Sequence, residues 1–75
     1  MSGYLLVEHV ADLLGCSKDT VYRLTGRNEI PHRRVGGTRR VLFVEAELRA
    51  WIDGAPLETV DAPHGGRVVR PKAAR

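Results

Sequence analysis

Val7-Glu8-His9-Val10-Ala11-Asp12-Leu13-Leu14-Gly15-Cys16-Ser17-Lys18-Asp19-Thr20-Val21-Tyr22-Arg23-Leu24 is the stretch on which the fold turns. Val7, Val10, Ala11 and Leu14 recur at i, i+3, i+4 and i+7, the stripe of a short amphipathic helix. Gly15 supplies a natural stop, because glycine tolerates the left-handed backbone that closes a helix. Ser17 then offers its hydroxyl as an N-cap, and Asp19 in the next turn suits the positive end of the helix dipole. In this second helix Val21 and Leu24 point one way, while Lys18, Asp19, Tyr22 and Arg23 point largely the other. Gly26 is expected to end it.

Two helices separated by Gly15 and Cys16 have the spacing of a helix-turn-helix. So short a joint forces a steep crossing, so that the first helix braces the second and leaves its polar face open. A helix hairpin in a small bundle has a similar pattern. Beyond Ile30-Pro31 the period changes. His32 to Val35 and Arg39 to Phe43 are short, partly β-branched runs around Gly36-Gly37, a hairpin signature. With a loop of two or three residues, arginines of the two strands would lie opposite each other, a destabilising arrangement that a polyanion would relieve. A loop of four would avoid most of those pairings. Val44, Leu48, Trp51 and Ile52 mark a third helix, stopped by Asp53-Gly54 with Pro56 beyond.

The expected core is Leu5, Val10, Leu14, Val21, Leu24, Ile30, Val41, Phe43, Leu48, Trp51 and Ile52, with Trp51 as its anchor. This is thin for a folded unit spanning residues 1 to 54. Residues 55 to 75 hold Pro56, Pro63, Pro71 and Gly65-Gly66 without usable periodicity. They read as a flexible basic tail, whose Arg67, Arg70, Lys72 and Arg75 would add phosphate contacts or meet a partner protein. The expected class is therefore mainly α with a small β-hairpin and a flexible C-terminal tail.

Composition narrows the function. The chain has 75 residues, 43% hydrophobic and 28% charged, with a formal charge of +3. That length leaves little room for a deep catalytic cleft. Charge is unevenly spread. In residues 16 to 43, seven basic side chains stand against two acidic ones, a local +5. The flanks at 1 to 15 and 44 to 54 carry one basic against five acidic residues, −4. A central basic block between acidic flanks suggests one face that attracts polyanions; a solvated surface is the plain alternative.

Other chemistry finds little support. His9, Cys16, His32 and His64 lack zinc-ligand spacing. Glu8, Asp12, Glu45 and Glu47 form no catalytic pair, and neither a P-loop nor a dinucleotide fingerprint is present. No enzyme activity, cofactor or metal is expected. No apolar run approaches the roughly 20 residues that span a bilayer. The start lacks a signal-peptide pattern, and a single cysteine suits a reducing, cytoplasmic setting.

The run from Leu5 to Leu24, with Glu29-Ile30-Pro31, Arg34-Val35-Gly36-Gly37 and Leu48-Arg49-Ala50-Trp51-Ile52, resembles excisionase-type, MerR-like helix-turn-helix domains. The resemblance covers about residues 5 to 52. It implies a winged helix-turn-helix, with the second helix in the major groove and the hairpin wing along the backbone or at the adjacent minor groove. On that model Ser17 and Thr20 position a phosphate beside the helix N-terminus. Lys18, Asp19, Tyr22 and Arg23 form the major-groove set, and Arg34, Arg39 and Arg40 make the wing contacts, with Gly36 and Gly37 shaping the turn. One departure is Leu6, where the family often has Thr or Ser as the first helix cap; a looser helix start is expected.

For individual residues the rival roles are concrete. Arg23 either clamps a guanine edge or pairs with Asp19 one turn away, a contact worth a few tenths of a kcal/mol. Tyr22 meets a phosphate or a thymine methyl, or covers the edge of the core. Asp19 accepts from a cytosine amino group or serves the helix start. The resemblance implies an excisionase, or recombination directionality factor, that binds and bends attachment-site DNA and steers a phage integrase toward excision. It would act in the cytoplasm of a host bacterial cell and self-associate cooperatively along DNA. The alternatives are a small MerR-like or AlpA-like transcriptional regulator at a promoter, and a protein-interaction adaptor for an acidic partner.

Overall fold

A computed structural model describes residues 4–36, 40–62 and 65–72. The elements in chain order are β1 (Tyr4–Leu5), α1 (Val7–Leu14), α2 (Lys18–Gly26), β2 (His32–Arg34), β3 (Val41–Val44), α3 (Glu45–Ile52), β4 (Leu57–Asp61) and β5 (Arg67–Pro71). The strands form one antiparallel sheet in the order β1-β3-β2-β5-β4. Helix α1 packs on α2 and β3, and α3 packs on β3 and β5.

All three helices end by the same local chemistry. Gly15 takes φ 71°, which lets the Cys16 N–H reach the carbonyl of Ala11 at 3.0 Å and the Gly15 N–H that of Asp12 at 3.3 Å. This Schellman closure satisfies carbonyls that the helix end would leave open. At Gly54, φ 102°, Ala55 donates to Ala50 and Gly54 to Trp51. In α2 the left-handed residue is Asn28 (φ 56°), two beyond Gly26, and Glu29 donates to Leu24. Gly26 is thus the last helical residue, while asparagine makes the turn. At the other end of α1, Leu6 offers no side-chain cap, and His9 Nδ1 accepts the Leu6 N–H at 3.2 Å, the back-reaching half of a capping box.

The core comprises Val7, Val10, Ala11, Val21, Ile30, Val41, Phe43 and Leu48, with Leu5, Leu14, Leu24 and Trp51 half-buried against it. Trp51 therefore lies at the margin rather than at the centre. Ile52 is 53% exposed and leaves the expected core, because α3 ends there and turns its last residue to solvent.

The largest correction concerns the C-terminal segment. Residues expected as a flexible tail form β4 and β5, and β5 pairs along the whole of β2: His32 faces Val69, Arg33 faces Val68 and Arg34 faces Arg67. Val69 is fully buried. The sheet thus runs across the boundary expected at residue 54, and the chain is more β-rich than a mainly α fold with one small hairpin. The physical reason is pairing: β2 has two edges, β3 covers one, and β5 satisfies the backbone groups of the other.

The register sorts side chains into two rows on the inner face, since directly opposed residues share a face. One row is Leu5, Phe43, His32, Val69 and Thr59. The next, nearer the hairpin tips, is Val41, Arg34, Arg67 and Asp61. On the opposite face Arg33 forms a two-pronged ion pair with Glu47 of α3, at 2.7 and 2.9 Å. This contact ties the sheet to the third helix.

Candidate nucleic-acid interface

The outer face of α2 is built from its cap outward. Ser17 Oγ accepts the Thr20 N–H at 3.2 Å, and the two hydroxyls lie 3.1 Å apart. Both side chains are thereby held at the helix N-terminus, where the remaining N–H groups point outward. Val21 and Thr25 are buried, and Thr25 Oγ1 donates to the Tyr22 carbonyl at 2.7 Å. Those inward residues fix the rotation of the helix. Lys18, Asp19, Tyr22 and Arg23 are consequently exposed, Tyr22 by 52%.

Arg23 and Asp19 sit one turn apart but form no ion pair, and among the described residues Lys18 has none either. Arg27 continues the Arg23 line by four residues and is also exposed and unpaired. It extends the cationic face, although only Lys18 and Arg23 stood out as cations in the helix pattern. It belongs to the basic block, but the sequence predicts a helix that stops at Gly26, and Arg27 is the C-cap residue just beyond that end.

The hairpin carries the second cationic element. The Val35 N–H donates to the Arg40 carbonyl at 3.2 Å, one step beyond the Arg34–Val41 pair. Arg34 and Arg33 therefore oppose Val41 and Leu42 on β3, so arginines do not face each other across this pair. Arg34 is half-buried and Arg40 exposed. Gly36 lies in the turn, whereas Gly37 and Arg39 lie outside the described residues. The Arg–Arg contact arises on the other edge of β2, where Arg34 meets Arg67.

Between α2 and the hairpin lies a cavity of about 470 Å³ lined by Tyr22, Thr25, Arg34 and Val41. Arg34 Nε is buried without a hydrogen-bond partner among the described residues. Beside it, His32 is fully buried, with Nδ1 2.7 Å from the Ile30 carbonyl. Nδ1 is the donor, so Nε2 is left as a buried acceptor without a partner. Burial chiefly, with the nearby charges of Arg34 and Arg67, pushes the His32 pKa below its ordinary 6.5. Its ring is a neutral core group at neutral pH. Arg33, by contrast, is held protonated still more firmly by its hydrogen bonds to Glu47 and is committed to structure.

A family model described as a helix-turn-helix domain matches residues 4–56. The chain belongs to the helix-turn-helix domain family. This is a small DNA-binding family, typically without catalytic activity, that includes excisionase-like proteins. The partner class of the helix-turn-helix domain is double-stranded DNA. No curated protein and no solved structure matches the chain. The matched segment takes in α1, α2, the β2–β3 hairpin and α3, whereas β4 and β5 lie beyond it. No helix among the described residues is long and apolar enough to cross a membrane.

Proposed function

We propose that this helix-turn-helix domain acts as an excisionase, a recombination directionality factor that binds and bends attachment-site DNA and steers a phage integrase toward excision. The observation that carries the DNA-contacting part is the exposed cationic face of α2, without ion pairs among the described residues, beside the Arg34–Arg40 hairpin. Lys18, Asp19, Tyr22 and Arg23 read base edges and adjacent phosphates in the major groove. Ser17 and Thr20 position a phosphate at the start of α2. Arg34, Arg39 and Arg40, on a turn shaped by Gly36 and Gly37, hold the backbone at the wing. The excision role draws on the excisionase-like members of the family. It places the protein on DNA in a bacterial host, acting through an integrase and assembling cooperatively along the site.

The test is footprinting on a cognate attachment region, coupled to an integrase excision assay with and without the protein. The reading predicts protection of attachment-site arms, a bend detected by gel mobility, and stimulated excision. Promoter protection with altered transcription and no effect on excision would replace it by a transcriptional regulator. Binding to an acidic protein, with no duplex protected, would replace it by an adaptor.

A further inference from the structure

We propose that Arg34 and Arg67 together form a seat for one DNA backbone phosphate beside the cleft between α2 and the sheet, which makes the C-terminal hairpin part of the interface. The proposal rests on the DNA-binding reading of the α2 face and adds to it a residue beyond the matched segment. Three observations carry it.

First, β2 and β5 bring Arg34 and Arg67 into direct cross-strand register. Like charges so placed repel. Asp61 stands next to Arg67 in the same row, yet forms no ion pair with it. Second, Arg34 Nε is buried with no partner among the described residues, while its side chain lines the cavity with Tyr22 and Thr25. A buried donor without an acceptor is costly, and an anion entering the cleft supplies one. Third, Arg67 is aimed toward the same helix. Its Nη1 donates to Asn28 Oδ1 at 3.2 Å, at the left-handed turn that ends α2. A guanidinium has five N–H donors, so that bond leaves others for an oxygen ligand. Burial first, and then the charges of Arg34 and Arg67, lower the His32 pKa, consistent with both guanidinium groups lying near this ring.

Gly66 secures the arrangement. It is buried, and a Cβ there would collide with the Arg34 carbonyl and lie 3.0 Å from the Gly36 nitrogen. The end of the second hairpin therefore lies directly against the backbone of the first, which sets Arg67 beside the wing rather than trailing behind it.

The test measures duplex affinity against salt for the full chain and for Arg67→Gln, Arg67→Lys and Arg49→Gln. Arg49 lies on α3, paired with Glu45, and controls for loss of one positive charge. Arg67→Gln should weaken binding roughly 3- to 10-fold, alike on specific and unrelated duplexes, and flatten the log–log salt slope by about 0.9. Arg67→Lys should retain most of the slope, and Arg49→Gln should change little. Equal effects of Arg67→Gln and Arg49→Gln would overturn the seat while leaving the DNA-binding reading intact. Thermal unfolding checks that each variant is folded.

A second arm titrates inorganic phosphate while following the Arg34 Nε–Hε NMR signal. A saturable shift, lost in Arg67→Gln, supports the seat even if no tested duplex binds. Absence of any shift, together with an unchanged salt slope in Arg67→Gln, would overturn it.

Discussion

At the scale of single residues, the molecule separates arginines that hold the fold from arginines that face solvent. Arg33 is clamped by Glu47 and Arg70 by Glu58, whereas Arg23 and Lys18 have no such partner among the described residues. Replacing Arg23 with alanine should leave unfolding free energy within about 0.5 kcal/mol of the parent. If it reads a guanine, the same change should cost about 1–3 kcal/mol of discrimination at one base pair. Paired chemical unfolding and binding titrations on matched and mismatched duplexes check both halves. His32 gives a prediction with a definite sign. Its folded-state pKa is lowered, so both states are neutral well above 6.5. As the pH falls through that value the unfolded chain takes up the proton first, and stability declines until the folded-state ring titrates. Urea unfolding across this range should show the loss, and His32→Gln should flatten it.

At the scale of elements, β5 is the strand on which β2 depends. Val69 is fully buried opposite His32, and Val69→Ala should cost about 1–2.5 kcal/mol in urea unfolding. Glu47→Gln, which weakens the part-buried bridge between β2 and α3, should cost roughly 1 kcal/mol by the same measurement. The helices were legible in the sequence because their information is local: the Val7–Leu14 stripe, the Ser17 cap, and the glycines at 15 and 54. The β2–β3 hairpin was legible for the same reason, though its register awaited the Arg34–Val41 pairing. Strands β4 and β5 were not. Residues 57 to 61 alternate weakly, Pro71 ends the last strand, and what holds β5 is an edge of β2 more than thirty residues upstream. No local pattern reports such a partner. The chemistry followed the same division. The exposed set on α2 could be read from helical spacing, while the Arg34–Arg67 row exists only through register.

At the scale of the whole molecule, α2 carries an exposed cationic face, Arg34 lines the cleft between α2 and the β2–β3 hairpin, and Arg67 reaches Asn28 at the end of α2, while Glu45 and Glu47 belong to α3. This distribution, rather than the net +3, determines how the molecule meets a polyanion. The most direct test of the central claim is the salt dependence of binding to a duplex carrying the attachment site, from about 50 to 200 mM monovalent salt. Each neutralised phosphate contributes a slope of about −0.9, and contact with roughly five to seven phosphates predicts a log K against log salt slope between about −4.5 and about −6.3. A steep, linear decline of that size is the expected result. A near-flat response would contradict the assignment of α2 and the hairpins as a DNA-contacting surface.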